Sequence, residues 1–482
     1  MNPKTAAEDL APLLERAFFF SAVEDSYIVE DISGVIPRWL RGTYYINGPA
    51  RFERAGMRYK HWLDGDGMVC ALRFGDDAIR FTNRFVQTPK LRDEEAAGRL
   101  VYRGFGTSFP GDKLRRGLML EPPINVSAYP FAGTLLAFGE QALPFELDPV
   151  TLETRGEYDF DGKLSEVTPF SAHAKWDPST GHMVNFGVSF SAVQPTLNVY
   201  EFDRNGAMLR RRRHPLKYQH SIHDFALSDN YVVFHLGPLL MDFNKFWQKD
   251  VSVMEALSWE PDKGTTILVA PRESKSETAF VVNAGRGYSL HLTNCFESEG
   301  GLLIVDLLEL EAPVYPEYQP VPDMFRTVTP CRPVRFVIHV PSKTLVERRE
   351  MEYGLAPDFP SFDKRLTCKA CDDFWMLGIS ATGRLGRKFF DQLVHGNWKQ
   401  GAVKDIYRVS PGEYLGGEPA HVANPKDAAD AVIITEYLDA RRDRAEILLF
   451  EAGHVAKGPI ARLGLRHKIH LGFHTSFQPS AR

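Results

Sequence analysis

Residues 134–160, TLLAFGEQALPFELDPVTLETRGEYDF, consist of short runs of alternating, β-branched and aromatic residues separated by turn-forming residues. Such runs are typical of β-strands. One turn lies at Asp148-Pro149, where proline fixes φ and aspartate bonds to the local backbone. The stretch therefore predicts consecutive antiparallel strands joined by short connections.

The same pattern recurs along most of the chain. It appears at residues 198–213, where Asn205-Gly206 supplies a hairpin turn, and again at residues 334–350 and 431–442. Many antiparallel hairpins without a strict repeat predict an all-β fold. We favour a β-propeller with degenerate blades, and the alternative is a large β-sandwich.

Helical periodicity is brief, at residues 5–19, 91–100 and 243–257. No Gly/Ser-rich linker or shift in composition marks a domain boundary. We therefore expect one domain over residues 1–482, with residues 1–30 as an N-terminal helical extension.

Composition points to a globular protein with a sizeable core. The 482 residues are 44% hydrophobic and 25% charged, and the formal net charge is -5. This balance predicts no nucleic-acid partner. The one basic run, residues 210–213, is expected to be a solvated strand face.

Cysteine usage favours a reducing compartment, the cytoplasm. The five cysteines are an odd number scattered over a long chain, which does not match a disulfide framework. Cys368 and Cys371 form a CxxC without a second ligand pair and are expected to be reduced structural thiols. The N-terminal residues lack the pattern of a secretory signal, and no run approaches the ~18 apolar residues of a membrane span.

Four of the fifteen histidines lie beside small or aromatic residues in strand-like stretches: His173 in SAHAKWDP, His223 in SIHDFALS, His291 in HLTNCFESEGG and His474 in HLGFHTSF. Their separations of 50, 68 and 183 residues exclude a pair of ligands on one helix. Ligands from separate strands could instead meet on a propeller axis. A lone histidine is more often structural, and His220 is expected to lie on the surface or in a second layer.

These four contexts belong to a longer set of motifs. RGTYYINGPARF (41–52) precedes HWLDGDGM (61–68), and the segment 124–154 carries FGEQ. GEP (417–419) and GFH (472–474) follow near the end. In this order the motifs resemble those of the carotenoid cleavage oxygenase family over about residues 38–477.

The resemblance implies a seven-bladed propeller with one Fe(II) per chain on its axis and a cap of loops and short helices over one face. The four histidines would hold the iron. Glu140 would support His223, Asp358 would support His291 and Glu418 would support His474, whereas His173 would have no carboxylate partner. The family usually has glutamate in place of Asp358, so we expect that hydrogen bond to be remodelled or to use water.

The activity implied is that of a dioxygenase, which inserts both atoms of O2 across a C=C bond to give aldehydes or ketones. The expected substrate is an apolar polyene, a carotenoid or an apocarotenoid. Phe138 occupies the usual place of a lysine that binds the phenol in stilbene-cleaving relatives, which favours the polyene. A stilbene-type dioxygenase, an isomerase and a non-catalytic propeller that binds apolar ligands are the alternatives.

Selectivity along a polyene must come from the shape of a tunnel, because the hydrocarbon offers few hydrogen-bonding groups. Leucine in place of the family's common phenylalanine before the Asp-Gly-Asp-Gly turn would reshape this tunnel. The candidate tunnel residues are Leu63, Phe105, Phe109, Phe138, Phe296 and Phe473.

A substrate dissolved in membrane requires an apolar entrance. Residues 237–257, GPLLMDFNKFWQKDVSVMEAL, combine several large apolar residues with a few charges. We expect them to form a peripheral membrane patch at the tunnel mouth. The alternative is a buried helix that packs on the propeller.

Overall fold

Antiparallel strand pairing dominates the computed structural model, which describes residues 10–165, 167–191, 193–248, 250–273, 278–320, 324–380 and 388–480. The strands of the N-terminal half are β1 (Asp25–Ile28), β2 (Ile32–Gly34), β3 (Gly42–Pro49), β4 (Glu53–Arg54), β5 (Met57–Arg58), β6 (Gly67–Phe74), β7 (Ile79–Phe85), β8 (Ser127–Phe131), β9 (Thr134–Phe138), β10 (Phe145–Leu147), β11 (Thr154–Glu157), β12 (Lys175–Trp176), β13 (Met183–Ser189), β14 (Thr196–Phe202), β15 (Met208–Pro215), β16 (Ala226–Leu227), β17 (Tyr231–Leu236) and β18 (Leu239–Met241).

The remaining strands follow in the C-terminal half. They are β19 (Leu257–Trp259), β20 (Thr265–Pro271), β21 (Phe280–Gly285), β22 (Tyr288–Ser298), β23 (Leu302–Leu310), β24 (Cys331–His339), β25 (Thr344–Glu350), β26 (Asp358–Ser361), β27 (Asp373–Gly378), β28 (Gln392–Asn397), β29 (Ala402–Arg408), β30 (Glu413–Asn424), β31 (Asp427–Asp439), β32 (Arg444–Glu451), β33 (Ala461–Gly464) and β34 (Thr475–Pro479).

Helices are short in the described residues. The α-helices are α1 (Ala11–Phe18), α2 (Pro89–Ala97), α3 (Phe243–Phe246) and α4 (Val253–Ala256). Three-residue 3-10 turns lie at Trp62–Asp64, Pro261–Lys263, Glu299–Gly301, Tyr315–Glu317, Lys364–Leu366 and Val455–Lys457. None of the helices in these ranges is long and apolar enough to cross a membrane.

Seven sheets of four or five strands form the blades of a propeller, which confirms the predicted fold class. From the innermost strand outwards, the sheets are blade 1 (β34-β3-β6-β7-β1), blade 2 (β8-β9-β10-β11), blade 3 (β12-β13-β14-β15), blade 4 (β16-β17-β20-β21), blade 5 (β22-β23-β24-β25), blade 6 (β26-β27-β28-β29) and blade 7 (β30-β31-β32-β33-β2).

Both ends of the chain close the ring. In blade 1 the last strand, β34, pairs with β3 so that Thr475 lies opposite Ile46, and in blade 7 β2 pairs with β33. Closure by distant segments is what a single propeller domain requires, although the expectation of one domain over residues 1–482 stays a prediction. Residues 1–9 of the expected helical extension lie outside the described residues.

The boundary of that extension is wrong. Helix α1 does lie within residues 1–30, but β1 is a strand of blade 1 and pairs with β7. Tyr27 is buried and its ring lies 5.5 Å from that of Phe81. This cross-strand packing, together with the ladder to β7, stabilises the extended conformation over a helix.

The hairpin with Asn205-Gly206 forms as predicted between β14 and β15. Gly206 adopts a φ of 91°, which glycine reaches without steric cost. Strand β15 is the outer edge of blade 3, and residues 210–213 on it alternate between half-buried and exposed. The basic run is therefore a partly solvated strand face.

A cap covers the face of the propeller where the connections between blade strands are longest, as expected from the resemblance. It includes α2, α3, α4 and the turn at Tyr315–Glu317. Its segments bond to one another, because Met254 donates its N–H to the carbonyl of Phe105 at 2.8 Å and Trp62 donates to that of Tyr318 at 2.6 Å.

Candidate metal centre

The four histidines lie at the inner strands of four blades. His173 lies two residues before β12, His223 lies three residues before β16, His291 lies within β22, and His474 immediately precedes β34. The inner strands surround the axis, so residues far apart in sequence meet there. One candidate ligand atom of each ring lies within 4.8 Å of those of the other three.

Burial favours the neutral form of two of these imidazoles. It lowers the pKa of His173 well below the usual value and that of His474 to about 4. Burial also disfavours the charged form of His223, but the carboxylate of Glu140 outweighs it and raises the pKa of that ring. Neutral nitrogen lone pairs are what a metal ion requires.

Three of the histidines are oriented by carboxylates. His223 Nδ1 lies 2.9 Å from Glu140 Oε1, His474 Nδ1 lies 3.0 Å from Glu418 Oε2, and His291 Nδ1 lies 2.5 Å from Asp358 Oδ1. A ring that donates its Nδ1–H to a carboxylate presents the lone pair of Nε2 on its other side. The carboxylates thus direct Nε2 towards the axis.

His173 is different. The nearest oxygen of Asp224 lies 3.8 Å from its Nδ1, which is too far for a hydrogen bond. Asp224 instead accepts from Lys175 Nζ at 2.8 Å and from the backbone N–H of Leu292 at 2.9 Å. It therefore ties together the strands that carry His173, His223 and His291. Sequence reasoning missed both charged residues, although they lie within two positions of a candidate ligand.

The contact of Asp358 with His291 is direct, so of the two expected alternatives the water-mediated bond is wrong. Ala356 and Phe359 on either side of it adopt φ values of 46° and 53°, which bend the backbone and bring the short carboxylate to the ring. Burial alone would raise the pKa of Asp358, but His291 and the hydroxyl of Tyr318 outweigh it and leave the pKa below its usual value.

The GEP and GFH motifs are two halves of one structure. Gly417 donates its N–H to Gly472 at 3.1 Å and Glu418 donates to Phe473 at 2.6 Å, so β30 fixes the loop that carries His474. Gly417 has a φ of 71°, and a Cβ there would lie 2.5 Å from Ile46. Lys364 Nζ, 3.1 Å from Glu418, helps to lower the pKa of that carboxyl to about 2 against the effect of burial.

Glu436 holds the same loop from behind. Its carboxyl group is fully buried and accepts from the backbone N–H of Gly472 at 2.8 Å. Burial raises its pKa from 4.5 to about 8. The folded protein therefore keeps a proton on Glu436 at pH values where the unfolded chain has lost it.

We expect Glu436→Gln to stabilise the protein by an amount that grows with pH. Between about pH 4.5 and about pH 8, folding of the wild type takes up a proton, so its stability falls as pH rises, whereas the neutral amide does not titrate. Melting temperatures of both proteins at the two ends of this window test the prediction. A difference that is independent of pH would contradict it.

A cavity of about 430 Å³ leads from the histidines along the inner strands. Three of the four candidate histidine ligands line its wall. Glu418, Lys175 and Asp224 also line it, and the cavity extends towards Gln478 and Pro479. None of the six candidate tunnel residues lines this cavity.

Two of those tunnel predictions are wrong. Phe138 is fully buried and packs against Phe170 between blades 2 and 3, and Phe296 belongs to a small core cluster with Ile304 and Val337. Their strands turn these rings into the blade interior.

The other four tunnel residues stay predictions. Leu63, Phe105 and Phe109 are half-buried residues of the cap region. Phe473 packs on Phe359 with a ring separation of 6.2 Å, and the ring of Phe359 lies 5.5 Å from that of His291. Phe359 adjoins the centre although it was not among the candidate site residues predicted from the sequence.

The residues fit a metal ion. Nε2 of His291 is buried and has no hydrogen-bond partner among the described residues, as a ligand atom directed at an ion would be. Four imidazoles, three of them buried and three with carboxylate partners, lie on the axis of the seven-bladed ring in an arrangement that could hold a metal ion. The chain belongs to the carotenoid oxygenase family, since the family profile described as retinal pigment epithelial membrane protein matches residues 19–479.

Individual relatives cover nearly the whole chain. The apocarotenoid-15,15'-oxygenase of Synechocystis sp. is 29% identical over 477 residues, 94% of each chain. The isoeugenol monooxygenase of Pseudomonas putida is 28% identical over 97% of this chain and 98% of its own. The crystal structure of a cobalt-substituted Synechocystis apocarotenoid oxygenase superposes with a TM-score of 0.88 at 27% identity and covers 98% of this chain and 99% of the other.

Proposed function

We propose that the protein is an iron(II) dioxygenase that cleaves a C=C bond of a carotenoid or apocarotenoid with O2 and releases aldehyde or ketone products. The observation that carries the proposal is the ring of four histidines, three of them buried, with its three carboxylates. His173, His223, His291 and His474 would hold one iron per chain. The relatives in the family that act on double bonds are oxygenases.

Each group at the site has a defined task in this proposal. Iron bound here would activate O2. Asp358 and Glu418 accept from Nδ1 of His291 and His474 and so fix the tautomers of these rings, and Glu140 pairs with Nδ1 of His223 at 2.9 Å. The buried walls keep water away from the reacting carbons, and no protein acid or base is required.

The substrate class rests on similarity and on surface chemistry. The presence of Phe138 in place of a lysine does not support a polyene substrate, because the ring of Phe138 points into the core of the blades. Support comes from the relative named as an apocarotenoid oxygenase and from the structural likeness to that enzyme. The exposed apolar side chains of Leu118 and Trp247 beside the cap suit a substrate dissolved in lipid.

A phenolic olefin is the second candidate. The hydroxyl groups of Tyr288 and Tyr315 are buried and lie 3.3 Å apart, close enough to Glu140 and Asp358 for those carboxylates to raise the pKa of both tyrosines, after the larger effect of burial. Such a pair could bind a phenol oxygen, and isoeugenol, named in a relative, is a phenolic olefin.

Incubation of the iron-loaded protein with β-carotene, an apocarotenal, isoeugenol and a hydroxystilbene separates these functions. Rapid O2-dependent cleavage of the apocarotenal supports the proposal. Cleavage of the phenols alone would overturn the substrate class. Binding of the polyene without O2 consumption would favour a non-catalytic propeller, and isomer products without aldehydes would favour an isomerase.

We further propose that the protein contacts membrane beside the cap. The proposed surface is smaller than the expected patch over residues 237–257. Residue 249 of that patch lies outside the described residues. Leu239, Leu240 and Phe246 are buried, so the prediction that they face the membrane is wrong. Trp247 is 57% exposed and Leu118 is 64% exposed.

These two residues form the lipid-facing surface in the proposal. The turn of Leu118 and the helix before Trp247 pack on one apolar cluster through Leu114, Leu120 and Phe243. Lys113, Arg116 and Lys245 nearby are exposed and suit anionic headgroups.

The free thiols of all five cysteines fit the expected reducing cytoplasm.

Replacing Trp247 and Leu118 together with aspartate is expected to reduce flotation with anionic liposomes by about tenfold, since both apolar burial and charge attraction are weakened. The matched control replaces Val281 and Val346, each 55% exposed on the outer strands of blades 4 and 5, with aspartate. Equal flotation of the two folded double variants would contradict the patch.

A further inference from the structure

Tyr318 links the cap to the candidate metal centre. It lies just after the turn Tyr315–Glu317, in the connection between β23 and β24, and is 3% exposed. Its hydroxyl donates to Asp358 Oδ2 at 2.7 Å. The other oxygen of Asp358 accepts from His291 Nδ1 at 2.5 Å. A continuous chain of hydrogen bonds therefore runs from a cap residue to a candidate ligand.

The tyrosine itself is held firmly. Its carbonyl accepts from the backbone N–H of Trp62 at 2.6 Å. Its ring packs edge-on against those of Trp62 and Phe325, with centroids 5.4 Å and 5.5 Å away. Because Trp62 and Phe325, farther along the same connection, both pack on the ring, the hydroxyl is held in place by contacts other than its bond to Asp358.

Asp358 depends on this hydroxyl. Its Oδ1 is shared between His291 and the backbone N–H of Phe359, which lies 2.8 Å away. Tyr318 supplies the hydrogen bond to Oδ2. Loss of the hydroxyl would leave a buried carboxylate oxygen without this donor and would allow the short side chain to rotate away from the ring.

We propose that Tyr318 is a positioning residue for the metal centre, which fixes the plane of Asp358 and through it the direction of His291 Nε2. The inference rests on the metal role proposed for His291. Tyr318 gives Asp358 a second hydrogen-bond partner, just as Lys364 Nζ lies 3.1 Å from Glu418. The tyrosine thus offsets the methylene that an aspartate lacks relative to the glutamate usual in this family.

Cobalt titration of the metal-free protein tests this inference without any turnover. Tyr318→Phe is expected to weaken Co(II) binding about tenfold, the lower end of the cost of losing a partner bonded to a metal ligand, because Tyr318 acts through Asp358. The control is Tyr353→Phe, which removes a buried hydroxyl whose bond to Gln392 Oε1 is also 2.7 Å long. The control should bind Co(II) within about twofold of wild type, and melting temperatures show that both variants are folded.

A double-mutant cycle shows whether Tyr318 acts through Asp358. In an Asp358→Asn background, Tyr318→Phe should weaken Co(II) binding by less than about twofold, because the residue it positions is already lost. Wild-type affinity of Tyr318→Phe, or a full additive loss in the double variant, would overturn the inference alone. Failure of the wild type to bind Co(II) would overturn both the inference and the proposed function.

Discussion

His291→Ala is expected to lose its iron. The rate of O2-dependent cleavage should fall by more than ~100-fold, which exceeds the usual cost of losing a carboxylate behind a metal ligand. The substitution removes one of four nitrogen ligands and leaves the charge of Asp358 buried without its ring. Metal content per chain after anaerobic loading with Fe(II), measured together with aldehyde formation, tests this result.

His395→Ala is the control for that experiment. His395 is also buried, but it stacks on Trp375 in blade 6 and bonds to Asp373 at 2.8 Å, away from the axis. It should keep its iron. Iron retained by a folded His291→Ala protein would contradict the four-histidine assignment.

Asp66→Asn is expected to cost about 3 kcal/mol of stability, within the range for breaking a buried ion pair. Asp66 belongs to a buried cluster with Arg54, Lys90 and Glu94, and Lys90 Nζ lies 2.8 Å from its carboxylate. Burial would raise the pKa of Asp66, but Lys90 and Arg54 outweigh it and lower the pKa. The amide would leave two buried cations with one carboxylate.

Urea unfolding of Asp66→Asn beside Asp76→Asn measures this effect. Asp76 also pairs with an arginine, Arg41, at 3.1 Å, but its side chain is 92% exposed, so its loss should cost less than about 1 kcal/mol. Equal midpoints for the two variants would mean that the buried cluster contributes no more than a surface pair.

The strands could be predicted from local pattern, because alternation and turn residues are encoded within a few positions, as at Asn205-Gly206. The number of blades came only from resemblance. Ring closure could not be predicted from pattern, since it joins Ile46 to Thr475 and the edge of β2 to β33. No local periodicity records a pairing over such a distance.

The candidate site divides in the same way. Motifs marked the four histidines and the carboxylates of Glu140, Asp358 and Glu418. Asp224 and Tyr318 could not be found, because their roles arise from contacts with Leu292 and Asp358 that are distant in sequence. Phe138 was misplaced because a one-residue change of register along a strand turns a side chain to the opposite face.

Isotope labelling tests most directly whether iron on the propeller axis cleaves a C=C bond with O2. The iron-loaded protein is mixed with an apocarotenal under ¹⁸O2, and the aldehydes are reduced at once to prevent exchange with water. Label in both carbonyl fragments is the predicted result. Unlabelled fragments, or an apocarotenal that binds to the iron-loaded protein and stays intact, would contradict the proposed dioxygenase.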